Sequence, residues 1–314
     1  MDPPTYLAEK NPHPRDKCIT FDEGPHIYTI NGDSDFMSVT TWNHSHFDHF
    51  DPDKIIDKMM MGRKWGPAHK HWGKTKEQIK KEWKDNGIAA STAGTKMHYD
   101  IECYYNDMEV EIEPDCIEWE YFEKFEEEIG GDKEPYRTEW MIWDTELKFA
   151  GSIDMIYRNP DGTLDIYDWK RSVGIKMDNK WQSALTPCIK HLPDCNYYHY
   201  CLQLNTYKAL LEKNYGEKIK EMYLVCLHPN NANQSYQRIK VLDLQKEVSD
   251  LFNLRKKMLS KELKSELNLQ SLQVTNYHKI ESCERPGSLS SATLLSDVWM
   301  WRGRPVNLRQ TEHD

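Results

Sequence analysis

Residues 137–169 constrain the fold more than any other stretch of the chain. Arg137 to Trp143, Ala150 to Arg158 and Thr163 to Trp169 read as three strands, and Asn159-Pro160-Asp161-Gly162 supplies the turn between the last two. Three successive strands commit this region to a sheet, whose apolar faces the flanking helices must cover. Helix signals lie on both sides. Asp53 to Met61, entered through Asp51-Pro52, predicts a helix, as do Lys74 to Lys84 and Ser91 to Tyr105 as a separate pair. Cys116 to Ile129 predicts another, stopped by Gly130-Gly131. Further on, Tyr197 to Asn214 predicts a long helix, Glu221 to Leu227 and Ser235 to Leu242 a strand pair, and Leu244 to Leu263 a charged amphipathic helix. Near the start, His26 to Ile30 and Phe36 to Thr41 flank Asn31-Gly32-Asp33 and predict a hairpin.

The expected fold is α/β (α+β), a central mixed sheet flanked by helices. The expected organisation is an N-terminal hairpin and helical extension over 1–84, opening with an irregular arm over 1–17. A core over 85–262 and a partly disordered tail over 263–314 follow.

Within the strands sits the densest chemical signal, Gly151-Ser152-Ile153-Asp154 and then Asp165-Ile166-Tyr167-Asp168-Trp169-Lys170. Residues i and i+2 of a strand share a face, so Asp168 and Lys170 point together, and the turn brings Asp154 alongside. Two hard carboxylate ligands suit Mg²⁺ or Mn²⁺, which retain waters and bind phosphate. A neighbouring Lys can orient the attacking water and offset charge at phosphorus. Glu139, on the strand before Asp154, offers a further carboxylate. An isolated D-x-K is ordinarily a solvated strand end; here apolar strand residues and a tight turn enclose it.

This segment resembles the PD-(D/E)xK nuclease superfamily, in the branch of RecB-type nuclease domains and the mitochondrial genome maintenance exonuclease. Gly94-Thr95-Lys96-Met97-His98 is similar to that branch's G-x-x-x-H helix, and Gln203-Leu204-Asn205-Thr206-Tyr207 to its Q-x-x-x-Y helix. The likeness spans about 90–230, with Ile153 where the superfamily name has Pro and Asp168 where Glu is usual. It implies a restriction-endonuclease-like core and a Mg²⁺-dependent (or Mn²⁺-dependent) DNA nuclease, an exonuclease on single strands or ends that leaves 5′-phosphates, with RNA as an alternative substrate. The implied ligands are His98, Asp154, Asp168 and the main-chain carbonyl of Trp169, with Lys170 activating water. Gln203, Tyr207, Arg171 and Ser172 become substrate-binding candidates, and Glu102, one helical turn after His98, a supporting carboxylate.

A rival motif is His44-Ser45-His46-Phe47-Asp48-His49, which matches the H-x-H-x-D-H metal signature of metallo-β-lactamase-type hydrolases and follows an expected strand, Met37 to Trp42. Cys188, His191, Cys195 and His199 form a looser zinc candidate. A non-catalytic nucleic-acid-binding protein is a third reading. Basic and aromatic residues for nucleic acid cluster at Arg63 to Lys81, with Trp65 and Trp72, and at Lys176, Lys180 and Trp181.

Composition matters at one point. The formal charge is −10, from 51 acidic and 41 basic residues, which disfavours nucleic acid unless the charge is unevenly placed. Eight Cys are too sparse for a disulfide scaffold, the first 15 residues lack an apolar signal-peptide core, and no apolar run is long enough to span a membrane. An intracellular protein is the expectation.

Overall fold

The computed structural model describes residues 4–281, and side-chain surroundings as far as residue 265. The described residues fall into two compact units divided after Phe252. The first begins with α1 (Tyr6–Lys10), a hairpin of β1 (Ile19–Asp22) and β2 (Ile27–Ile30), β3 (Met37–Ser38) and three helices, α2 (Val39–His44), α3 (Pro52–Met60) and α4 (Lys76–Tyr105). Then come α5 (Ile117–Glu128), β4 (Glu134–Asp144), β5 (Phe149–Arg158), β6 (Leu164–Lys170), α6 (Asn196–Asn214), β7 (Ile219–Cys226) and β8 (Gln237–Lys240). Helix α7 (Gln245–Glu281) runs from the first unit into the second.

Local chemistry accounts for the helix starts. Asp51 accepts the N–H groups of Asp53 and Lys54 with Pro52 in the first turn of α3, and Thr75 and Gln78 form a reciprocal capping box on α4. The six-stranded sheet has the order β3-β5-β6-β7-β8, with β4 also on β5. β3–β5 and β6–β7 are parallel and the other pairs antiparallel, so the expected mixed sheet is present.

One face of the sheet carries Met155, Tyr157, Tyr167, Trp169, Val225 and Leu227, packed against Met97, Ile101 and Tyr105 of α4 and Tyr121, Phe122 and Phe125 of α5. Trp169 is the centre of that cluster, with Phe125 edge-on at 5.3 Å and Tyr105 parallel at 6.4 Å. Strand alternation turns Asp168 and Lys170 to the opposite face. There the ring of Tyr200 on α6 lies 4.6 Å from Lys170 Nζ. Helix α6 is the crossover between parallel β6 and β7, and it covers this second face.

Pairing along β5 is what opens the site. β4 follows β5 along one edge from Phe149 to Arg158. On the other edge β5 pairs with β3 through Phe149 and Ala150, then with β6 only from Met155 onward. Among the described residues, Gly151–Asp154 has no ladder partner on that edge.

Four local expectations change. The hairpin is β1–β2, because residues after the Asn31-Gly32 turn leave it for β5; Met37 N–H donates to the Lys148 carbonyl at 2.9 Å. Trp42 lies in α2, not a strand, since Ser38 caps a helical turn there by accepting from Thr41 N–H. The two helices expected within 74–105 are one, α4, with Gly87 and Gly94 inside it. Each Gly costs about 1 kcal/mol against Ala, and the packing of the helix on the sheet outweighs that. The arm expected to be irregular carries α1 and a 3-10 turn over Pro14–Cys18, and it is docked. Asp16 accepts from Arg137 Nη1 and Trp140 Nε1, both at 2.9 Å, and the Arg15 guanidinium lies 3.5 Å from the Trp143 ring centre. Helix α7 covers the start of the tail expected over 263–314, as far as Glu281; the rest of that tail lies outside the described residues.

Candidate active site

Asp154 lies where β5 and β6 part. Their ladder ends at Met155↔Tyr167, and the N–H of Trp169 donates instead to Asp154 Oδ2 at 2.9 Å. Trp169 therefore enters the site through its N–H, while its indole is buried in the core. Glu139 sits between the β4–β5 pairs Thr138↔Met155 and Trp140↔Ile153, which sets it across from Asp154. Two carboxylates opposite one another on neighbouring strands repel, and such a pair persists only beside positive charge. His98 of α4 faces both, with Nδ1 3.8 Å from Glu139 Oε1 and 3.6 Å from Asp154 Oδ2. Ser152 Oγ holds the other Glu139 oxygen at 2.7 Å. Glu139 also has φ 41°, a left-handed backbone that costs a non-glycine residue energy and turns its side chain into the opening.

The protonation states follow from that crowding. Burial alone would lower His98, but Asp154 and Glu139 overcome it and lift the imidazole to about 9. Burial works against the Glu139 carboxylate too, yet the His98 hydrogen bond and charge bring it below its ordinary value. Asp154 goes the other way: burial, then Asp168 and Glu139, push it up. Glu102 is raised to about 7 by burial and by Glu139. Both His98 and Lys170 favour the charged form of these carboxylates.

Donor atoms of His98, Glu139 and Asp154 all lie within 4.8 Å of one another, and this is the one such group of three among the described residues. One imidazole nitrogen and two carboxylate oxygens, with Asp168 close enough to raise Asp154, fit a hard divalent cation. Asp168 itself is 2 % exposed, and its carboxylate pairs with Lys170 Nζ at 2.6 Å. Gln203 Nε2 donates to Tyr207 Oη at 3.1 Å and to Thr40 Oγ1 at 3.3 Å. Tyr207 packs on Gly151, where even a methyl group would stand 2.8 Å from its ring. Gly151 is thus the close-approach point that lets α6 reach the unpaired edge of β5.

Other sequence candidates lie elsewhere. Arg171 is held by Glu118, its Nε donating to Oε1 at 2.7 Å. Ser172 is buried, with Oγ donating to the Gly174 carbonyl at 3.1 Å. Four lysines of the basic stretch are paired with acids: Lys74 with Glu82, Lys76 with Asp57, Lys80 with Asp53 and Lys81 with Asp85. Three contributors escaped the sequence reading. Ser152 had a signal, two residues before Asp154 and on the same strand face; Tyr200 had one too, a helical turn before Gln203. Thr40 had none.

The His44–His49 segment forms no three-donor group among the described residues. Its helical start scatters the side chains. Asp48 Oδ1 accepts the His49 N–H at 3.0 Å, and the His44 ring meets His199 at 5.3 Å. His46 is buried edge-on against Trp42 at 4.3 Å, with Nδ1 2.9 Å from Thr186 Oγ1. The second zinc candidate is also dispersed, His191 meeting Glu247 at 3.1 Å and His199 meeting Asp194 at 2.9 Å.

Burial lowers His46 from 6.5 to about 4. The unfolded chain then binds the proton more readily, so the stability due to this neutral imidazole is complete above about pH 6.5 and is lost as pH falls towards 4. Between about pH 7.5 and 4.5 the wild type should lose ~3 kcal/mol more in urea unfolding than His46→Gln. Equal losses would show that His46 is not held neutral.

Among the described residues no helix is long and apolar enough to cross a membrane. No family model matches the chain, and no curated protein matches it. Among solved structures it is similar to a "putative exonuclease" from Eubacterium rectale, at 12 % identity over 73 % of this chain and 80 % of that chain, with a TM-score of 0.37. A likeness of that size transfers no activity.

Proposed function

We propose that this protein is a metal-dependent nuclease of PD-(D/E)xK type, hydrolysing phosphodiester bonds in DNA at single-stranded regions or ends to leave 5′-phosphates. The observation that carries the reading is the convergence of His98, Glu139 and Asp154 donors within 4.8 Å, beside a Lys170–Asp168 pair on the adjoining strand. His98, Glu139 and Asp154 would hold Mg²⁺ or Mn²⁺, and Asp168 adds a third carboxylate to the same opening. A divalent cation there supplies a more acidic water and a counter-charge for the phosphoryl oxygens. Lys170, oriented by Asp168 and by the Tyr200 ring, positions the attacking water and neutralises charge developing at phosphorus. Ser152 and the Trp169 N–H fix Glu139 and Asp154, so little reorganisation is left for the reaction. Tyr207 and Gln203 brace the open edge of β5.

The test uses purified protein with end-labelled single- and double-stranded DNA and RNA. Cleavage is expected with Mg²⁺ or Mn²⁺ and none in EDTA. Cleavage that persists in EDTA rules out the metal; nucleic-acid binding without turnover in any metal establishes a non-catalytic binder instead.

A further inference from the structure

Beside Lys170 lies a cleft of about 680 Å³, within the roughly 300–1,000 Å³ typical of ligand sites. Ser172, Lys176, Lys180, Trp181, Asn196 and Tyr200 line it. Tyr200 joins it to the hydrolytic site, since its ring is the one 4.6 Å from Lys170 Nζ. The wall is the connection from Arg171 to Cys195, which carries a single 3-10 turn over Pro187–Ile189 and a bridge between Ser183 and Pro193.

This connection presents Trp181, which at 92 % exposure is the most exposed large apolar side chain among the described residues. Such an indole adds almost nothing to packing. Yet its backbone is firmly held. Asn179 Oδ1 accepts the N–H groups of Trp181 and Gln182, each at 3.1 Å, and Asn179 Nδ2 donates to the Asp194 carbonyl at 2.7 Å. Asp194 N–H returns a bond to the Gln182 carbonyl at 3.0 Å, and Lys176 N–H donates to Asn196 Oδ1 at 2.8 Å. A rigid support under an exposed aromatic face is preorganised for a flat ligand.

The charge pattern selects the ligand. Lys176 and Lys180 both precede the indole in sequence and line the cleft with it; of the acids there, Asp194 is engaged by His199 at 2.9 Å and Asp178 stands between the lysines. Cations beside an exposed aromatic ring suit a polyanion carrying flat bases. Val173, Met177 and Leu185 of the same connection are also exposed and extend the apolar surface that bases can cover. The other exposed tryptophan near basic residues, Trp72, is less suited: it is 47 % exposed, and its ring packs on Trp65 at 5.6 Å.

We infer that the Arg171–Cys195 connection is a single-strand clamp, in which an unpaired base stacks on Trp181, its phosphates lie by Lys176 and Lys180, and the neighbouring phosphodiester is led past Tyr200 to Lys170. Bases in a duplex already stack on one another and cannot use the platform, so the clamp selects unpaired nucleotides. What becomes of the captured strand rests on the hydrolase reading; its capture does not.

Capture is measured first, in EDTA, by fluorescence anisotropy of labelled oligothymidylate and oligouridylate of about 12 nucleotides, within the site sizes of single-strand binders, and of a matching duplex. Base stacking worth about 1–3 kcal/mol corresponds to roughly 5- to 150-fold in affinity. Trp181→Ala should weaken single-strand binding by such a factor and leave duplex binding unchanged, while Trp181→Phe stays within about threefold of wild type because it retains a stacking face. The two oligomers distinguish DNA from RNA as the source of the unpaired base, and a loss on either supports the clamp. With Mg²⁺ added, KM for single strands should rise by the same factor at constant kcat. Unchanged single-strand affinity in Trp181→Ala overturns the inference, as does an equal loss for the duplex, and a docking protein then becomes the better account of Trp181. Should no variant cleave while Trp181→Ala still loses binding, the hydrolase reading fails and the clamp stands.

Discussion

Asp154→Asn should lower Mg²⁺-dependent cleavage by about 10³-fold, the worth of roughly 4 kcal/mol of charge stabilisation at phosphorus. The substitution keeps an oxygen that can accept the Trp169 N–H, now at 2.9 Å from Asp154 Oδ2, so the junction of β5 and β6 survives. It removes one of the two opposed carboxylates that His98 faces and that would hold a divalent cation. Titration calorimetry should show weakened Mg²⁺ binding. Lys170→Met is the informative partner. It should lower kcat by about 10²–10³-fold, within the range for a positioned acid–base or electrostatic group. Its Mg²⁺ affinity should be equal or tighter, because a cation has left the site. Undiminished Mg²⁺ binding in Asp154→Asn, or full activity in Lys170→Met, removes the proposed roles.

Asp16→Ala should destabilise the protein by about 3 kcal/mol, a large fraction of a typical stability. Arg137 is buried, and its Nη1 is shared between Asp16 at 2.9 Å and the Asn11 carbonyl at 3.0 Å. Without the carboxylate, the guanidinium and the Trp140 N–H both lose their charged acceptor beneath the docked arm. Burial works against that carboxylate, but hydrogen bonds from Arg137, the His13 N–H and Trp140 outweigh it and hold Asp16 below its ordinary 3.8. A depressed acid contributes stability above its unfolded value and loses it as pH falls through the folded one, so the arm should loosen in acid below about pH 4. Urea unfolding of the single variants and of Asp16→Ala/Arg137→Met checks this. The double variant should recover part of the loss, since no charge is left stranded. Equal single and double losses would mean that the ion pair is not what holds the arm.

Legibility from sequence was uneven, and the pattern is physical. The β5–β6 hairpin could be read because its turn is four local residues with strong preferences, and it ordered Asp154, Asp168 and Lys170 correctly along the strands. The helix carrying Gln203 and Tyr207 was also clear, since its nineteen residues contain no Pro or Gly and it is buried on most sides. Glu139 was legible as a further carboxylate on the strand before Asp154, but not as the residue that faces it. Its place depends on the β4–β5 register, which sets it opposite Asp154, and on its unusual φ. The short β3, parallel to β5, has no local signal, and it was misread as half of a hairpin. The His44–His49 motif shows the converse: a spacing that looks like a metal signature loses its meaning when the backbone entering it is helical and His46 turns inward.

The charge of −10 likewise says little as a total, because it averages over separate parts of the surface. By itself the sequence determined the elements of the core and the order of the chemical groups along them, since turns, caps and periodicity act over a few residues. Tertiary structure alone decided which carboxylates face one another, that Lys170 pairs with Asp168, that Arg171 is tied to Glu118, and that Trp181 stands in water beside the site. Those outcomes depend on strand register and on burial, which are set by contacts between residues far apart in the chain.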